Sequence, residues 1–140
     1  MCLLQLDGKA LVNVDRVRSQ ELARAVNAQP RRCWRNCALA LGHLLGAGVY
    51  VEGYAVVSGG GFATEHAWLE VDGTIVDPTW DIPGARYYPV ARYGLSEVLD
   101  LLDASPELPL FTRSYHTQRD MAKAAERAWH SCSLETEAHR

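Results

Sequence analysis

The chain has 140 residues, of which 48% are hydrophobic and 22% charged, and a net charge of −3. That is enough chain for one domain with a buried core, spanning 1–140. The balance excludes a basic stripe for a nucleic-acid backbone, because Arg16/Arg18 and Arg31-Arg32 are too short to make one, and no apolar run is long enough to span a membrane.

The segment at residues 1–7 has no basic stretch and too short an apolar run for a signal peptide. A cytoplasmic protein is therefore expected, with its four cysteines (Cys2, Cys33, Cys37 and Cys132) as reduced thiols. Residues 9–14 read as a short strand. Residues 16–27 carry Val17, Leu22, Ala25 and Val26 at helical spacing, and Pro30 separates this helix from the next. The next helix is clearer. Trp34, Cys37, Ala38, Leu41, Leu44 and Leu45 form an apolar stripe, Cys33 falls in its first turn, and Gly46 and Gly48 end it.

Residues 49–58 are β-branched and aromatic and predict a strand, followed by a loop at Gly59-Gly60-Gly61. Residues 64–71 and 74–77 predict a hairpin, because Asp72-Gly73 suits a two-residue type I′ turn. Residues 95–103 suggest a short helix. Thr117-Gln118-Arg119-Asp120 resembles a capping box with Asp in the Glu position, opening a helix to about residue 131. The order of helices, strands and helices predicts an α+β fold.

The hairpin carries the chemistry. Pairing through Asp72-Gly73 sets Trp68 opposite Asp77 and His66 opposite Thr79. Alternation then places His66, Trp68, Glu70, Ile75 and Asp77 on one face. Asp77 becomes a diagonal neighbour of His66 at roughly 7–8 Å between backbones. A carboxylate on one imidazole nitrogen fixes the tautomer and leaves the other nitrogen free as a base. Glu70 lies nearer the turn and ranks below Asp77 as the orienting acid. Taken alone, His66 reads equally well as a satisfied strand histidine and Asp77-Pro78 as a turn starter.

Cys33 completes the set. A thiol at a helix N-terminus feels the positive end of the dipole, which favours thiolate, and a neighbouring imidazolium favours it further. Taken singly, Cys33 reads more readily as a buried structural thiol, and the order Cys, His, Asp shifts the balance toward a nucleophile. Cys37 lies on the apolar stripe and reads as core. A zinc site from Cys33, Cys37, His43 or His66 has poor spacing and no clear fourth ligand, so no metal and no cofactor is expected.

The segments Cys33-Trp34-Arg35-Asn36-Cys37-Ala38-Leu39, Val51-Glu52-Gly53-Tyr54, His66-Ala67-Trp68-Leu69-Glu70-Val71 and Val76-Asp77-Pro78-Thr79 resemble the transglutaminase-like branch of the papain-like cysteine protease superfamily. The likeness is greatest to short phage and bacterial members of that branch. It covers residues 31–80. It implies a helix carrying Cys33 packed on a small antiparallel sheet carrying His66 and Asp77, with extra C-terminal helices. It further implies acyl transfer through a thioester, with Cys33 as nucleophile, His66 as base and acid, and Asp77 as orienting carboxylate. The substrate would be a peptide, a protein or a small amide, and the acceptor water or an amine. Asn36, Gln29 and Asn27 are candidates for the second oxyanion donor, and Trp34, Trp68 and Trp80 for substrate contacts. Asn36 is also placed to orient a loop. Tyr87-Tyr88-Pro89, Tyr93 and Trp80 read as groove lining or, more simply, core cover. The alternative function is a non-catalytic binding protein on the same fold, such as a phage-type protein that blocks a host factor.

Overall fold

A computed structural model describes residues 10–57 and 63–104. It is an α+β domain. Helices α1 (Arg16–Ala25) and α2 (Cys33–His43) come first. Strands β1 (Val49–Val56), β2 (Ala63–Val71), β3 (Thr74–Val76) and β4 (Arg86–Tyr93) follow, then helix α3 (Leu95–Ala104). The strands form one antiparallel sheet in the order β3-β2-β1-β4. The triglycine loop, the helix expected at 117–131, Cys2 and Cys132 lie outside the described residues.

Helix α1 starts at Asp15, whose carboxylate accepts from the Arg18 amide at 3.0 Å. It ends at Ala25, two residues earlier than its periodicity suggests, because Asn27 turns left-handed at φ 51°. Val17 is not part of a buried face, being 67% exposed. Helix α2 also stops early. Leu45 adopts φ 53° and Gly46 φ 81°, and Leu45 projects outward at 88% exposure. The buried stripe of α2 is Cys33, Asn36, Cys37, Ala40 and Leu41, at i, i+3, i+4, i+7 and i+8, with Trp34, Ala38 and Leu44 partly buried against the same core. One polar residue, Asn36, sits in that stripe.

The hairpin forms as the turn chemistry dictates. Asp72 and Gly73 take φ 51° and 76°, the signs a type I′ turn requires. Val71 pairs with Thr74 and Glu70 with Ile75, and β3 ends at Val76. Asp77 therefore follows the ladder instead of belonging to it.

Strand β4 is absent from the sequence reading, where Tyr87-Tyr88-Pro89 and Tyr93 read as groove lining or core cover. It pairs with β1 across a register shift at Glu52/Gly53, where Pro89 lies opposite Gly53. A side chain at Gly53 would collide with the Tyr88 carbonyl oxygen and lie 2.9 Å from the Trp68 ring. Close approach of β1 and β4 therefore demands glycine there.

Of the expected strand at 9–14, the described residues 10–14 form only isolated bridges. Leu11 bridges to Tyr87 of β4 and Val14 to Ile75 of β3. A flat four-stranded sheet would hold its edges about 14 Å apart, beyond the reach of three residues, about 10 Å. The sheet must therefore curl, with this segment stapling its two edge strands.

The curl creates two cores. One holds Val51, Ala55, Trp68, Ile75, Ala85 and Tyr87, with Leu11 and Val14 packed against it. The other lies between α2 and the opposite sheet face and holds Cys37, Leu41, Tyr50, Ala67, Leu69, Val71 and Val76.

Candidate active site

The site lies where β2 runs on past the end of β3. Cys33 opens α2 and belongs to the helix-side core, while His66 stacks among the aromatic rings of the inner core. The two meet at this open edge. The Cys33 thiol lies close enough to the His66 ring to raise its pKa. His66 Nε2 lies 2.7 Å from Asp77 Oδ2, with both side chains buried. A carboxylate accepts there, so Nε2 carries the proton, and Nδ1 is the nitrogen left for the thiol. The structure thus brings Cys33, His66 and Asp77 together in one chain of contacts.

Asp77 is held at both oxygens. Oδ1 accepts from the amides of Thr79 at 2.9 Å and Trp80 at 3.0 Å, an Asx turn that follows from Asp-Pro-Thr. Oδ2 accepts from His66 and from the Tyr87 hydroxyl at 2.8 Å. The Asp77 amide donates to Ser19 Oγ at 2.9 Å, and Ser19 donates to the Asp15 carbonyl at 2.6 Å. Helix α1 therefore braces the carboxylate from behind.

Burial disfavours charge on the His66 ring, but the Asp77 carboxylate and the Cys33 thiol outweigh it and raise its pKa to about 9. Trp80 stacks on the same ring, 4.1 Å between centroids and 23° between planes. That stacking favours an imidazolium. Burial pushes the Cys37 thiol well up, helped by Asp77, Cys33 and Glu52, so Cys37 is a neutral core thiol. Glu52 is a second buried carboxylate, on β1, and accepts from the Tyr50 hydroxyl at 2.7 Å.

The secondary candidates separate. Asn36 is fully buried and orients a loop. Its amide donates to the Gln29 carbonyl at 2.8 Å and to Thr79 Oγ1 at 3.0 Å, and its oxygen accepts from the Gln29 amide at 3.0 Å. With these bonds made, Asn36 is not free to act as an oxyanion donor. Gln29 and Asn27 are exposed, and the Gln29 side chain donates to the Asn27 carbonyl at 3.1 Å. Trp68 is fully buried in the inner core and cannot line a substrate groove. Trp34 packs against the helix-side core, and its indole nitrogen is buried without a partner.

Tyr87 and Ser19 are the residues that sequence reasoning missed. Tyr87 stood within an aromatic cluster that reads as core cover, and only the β4 register brings its hydroxyl to Asp77. A cavity of about 470 Å³ lies behind the carboxylate, walled by Ser19, Gln20, Asp77, Trp80, Ile82 and Tyr87 among others. Neither Cys33 nor His66 lines it. An Arg16–Asp81 ion pair at 2.7 Å sits among its walls, largely exposed.

Among the described residues, no group of three or more His, Cys, Asp and Glu side chains could hold a metal ion. No helix among them is long and apolar enough to cross a membrane. The fold and contacts define a small α+β domain with a Cys–His–Asp arrangement at a sheet edge. No protein-family profile, curated protein or solved structure matches the chain.

Proposed function

We propose that this domain is a thiol-dependent acyl-transfer enzyme, a hydrolase or acyltransferase of the transglutaminase-like, papain-like type. The observation that carries the reading is the arrangement of Cys33, His66 and Asp77, with His66 Nε2 held 2.7 Å from Asp77 and the Cys33 thiol close enough to raise the pKa of the ring. In this reading the Cys33 sulfur attacks the carbonyl carbon of an amide. His66, protonated, gives its proton to the departing amine as the carbon–nitrogen bond breaks, which leaves a thioester on Cys33. His66 then takes a proton from water or an amine as that acceptor attacks the thioester carbonyl, and the carbon–sulfur bond breaks to release the acyl product and return Cys33 as a thiolate beside the imidazolium. The Cys33 amide at the start of α2 is one donor for the oxyanion. In this reading the substrate is a peptide, protein or small amide, and the free thiols Cys33 and Cys37 fit a reducing compartment such as the cytoplasm.

The competing reading is a binding domain without turnover, and the small opening over Cys33, 7% exposed, favours it. An activated ester such as p-nitrophenyl acetate separates the two. The enzyme reading expects a burst of p-nitrophenol with an acetyl group found on Cys33 by mass spectrometry. No acyl adduct on Cys33 in folded protein overturns it.

A further inference from the structure

Tyr87 reaches the carboxylate from a different strand than the one that leads into it. Its hydroxyl and His66 Nε2 share one oxygen, Asp77 Oδ2, at 2.8 and 2.7 Å. The other oxygen has two backbone donors of its own. Tyr87 itself is 1% exposed and packed edge-on to Trp68, with ring centroids 5.0 Å apart. Its place is doubly fixed, because Tyr87 also exchanges two backbone hydrogen bonds with Leu11.

We infer that Tyr87 is a positioning residue that draws charge from Asp77 Oδ2 and so limits how strongly the carboxylate holds the imidazolium of His66. The inference rests on the reading of Cys33–His66–Asp77 as the reacting set. A donor on a carboxylate oxygen disperses its charge and weakens it as an acceptor for a second donor. The Oδ1 amides hold the carboxylate in place whether or not Tyr87 is present, so the Tyr87 hydroxyl tunes charge more than it sets geometry. Its removal leaves Oδ2 wholly to His66.

The charged and titratable groups around this point are few. His66 faces Asp77 and Cys33. Tyr87 faces Asp77, with Cys37 and Asp81 within electrostatic reach, and burial and Asp77 keep its hydroxyl protonated. From α1 come Ser19, on the Asp77 amide, and Arg16, already paired with Asp81. Glu52 acts on Cys37 from the other sheet face. None of these changes when Tyr87 loses its hydroxyl.

The test is the titration of the His66 ring by NMR in the wild-type chain and in Tyr87→Phe, with the amide spectrum as the check on folding. The expected result is a His66 midpoint raised by about half a pH unit or more. An unchanged or lowered midpoint in a folded variant overturns the inference, since a role in packing alone predicts no rise. Should Tyr87→Phe fail to fold, incorporation of 3-fluorotyrosine makes the phenol a stronger donor. The His66 midpoint must then fall, and an unchanged midpoint overturns the inference. Alkylation of Cys33 in the same samples is read separately. An unreactive Cys33 defeats the enzyme reading whichever way His66 titrates.

Discussion

His66 and Asp77 meet at 2.7 Å although the hairpin does not pair them. Continuing the register sets Asp77 against Trp68, one pleat away on the same face. The strand ends at Val76, and the Asx turn at Thr79 and Trp80 holds the Asp77 carboxylate in place to meet the ring. The ladder brings the two residues near, and the break in the ladder makes the bond.

Loss of the carboxylate should therefore be costly. Asp77→Ala strands the Tyr87 hydroxyl, two amides and the His66 ring in a buried site. It is expected to lower unfolding stability by about 3 kcal/mol or more in urea titrations. Asp77→Asn keeps the shape but not the charge. It is expected to fold, and to drop the His66 midpoint well below about 9, because only Cys33 then opposes burial. A midpoint still near 9 would show that Asp77 is not the charge that His66 senses.

The raised pKa of His66 fixes a pH window. A group whose folded pKa lies above its unfolded value adds stability that is complete below the unfolded value, about 6.5, and is lost as pH climbs through the folded one. For His66 that loss spans pH 6.5 to about 9. Urea unfolding at pH 6 and pH 9.5 should show the wild-type chain losing on the order of 2 kcal/mol more than His66→Gln across the same interval. Equal losses would exclude a charged, paired His66.

Asn36 ties the loop before Cys33 to both Gln29 and Thr79. Asn36→Ala removes three hydrogen bonds from a fully buried position. A stability loss of about 2 kcal/mol is expected, together with slower alkylation of Cys33 as the loop loosens. Asn36→Asp should be no milder, because it loses the donor that both acceptors need. An Asn36→Ala protein with unchanged stability would contradict the clamp.

At Gly53 the β1 backbone lies tight against Tyr88 and Pro89 of β4. Gly53→Ala places a methyl group against the Tyr88 carbonyl and the Trp68 ring. The backbone cannot give way without opening the β1–β4 ladder. A loss of about 2 kcal/mol or more in thermal or urea unfolding is expected, and a neutral result would mean the two strands lie further apart.

Much of this was legible in the sequence. The Asp72-Gly73 turn dictates the hairpin register, and that register alone puts His66 and Asp77 on one face. The i, i+3, i+4 pattern finds α2: Cys37 and Leu41 are buried, Trp34, Ala38 and Leu44 pack against the same core, and only Leu45 projects outward. The pattern could not include Asn36, which is polar and is buried through hydrogen bonds that hydropathy does not register. Strand β4 had no reading in the sequence, where its aromatic residues read as groove lining or core cover, and Pro89 is accommodated at the register shift opposite Gly53. The staple at Leu11 and Val14 was read as a strand because its residues are β-branched and apolar. It pairs with two different strands instead of one, a tertiary arrangement without a local signature. Tyr87 could not be assigned to Asp77 until β4 was in place.

The central claim is that Cys33 faces His66 as a reactive thiol while Cys37 is an inert one. Iodoacetamide labelling of the native chain at pH 6.5, read peptide by peptide in a mass spectrometer, tests it directly. The account predicts that Cys33 is alkylated on the order of 100-fold faster than Cys37, and that Asp77→Asn removes most of the difference. Slow labelling of both thiols at equal rates in the folded protein would contradict it.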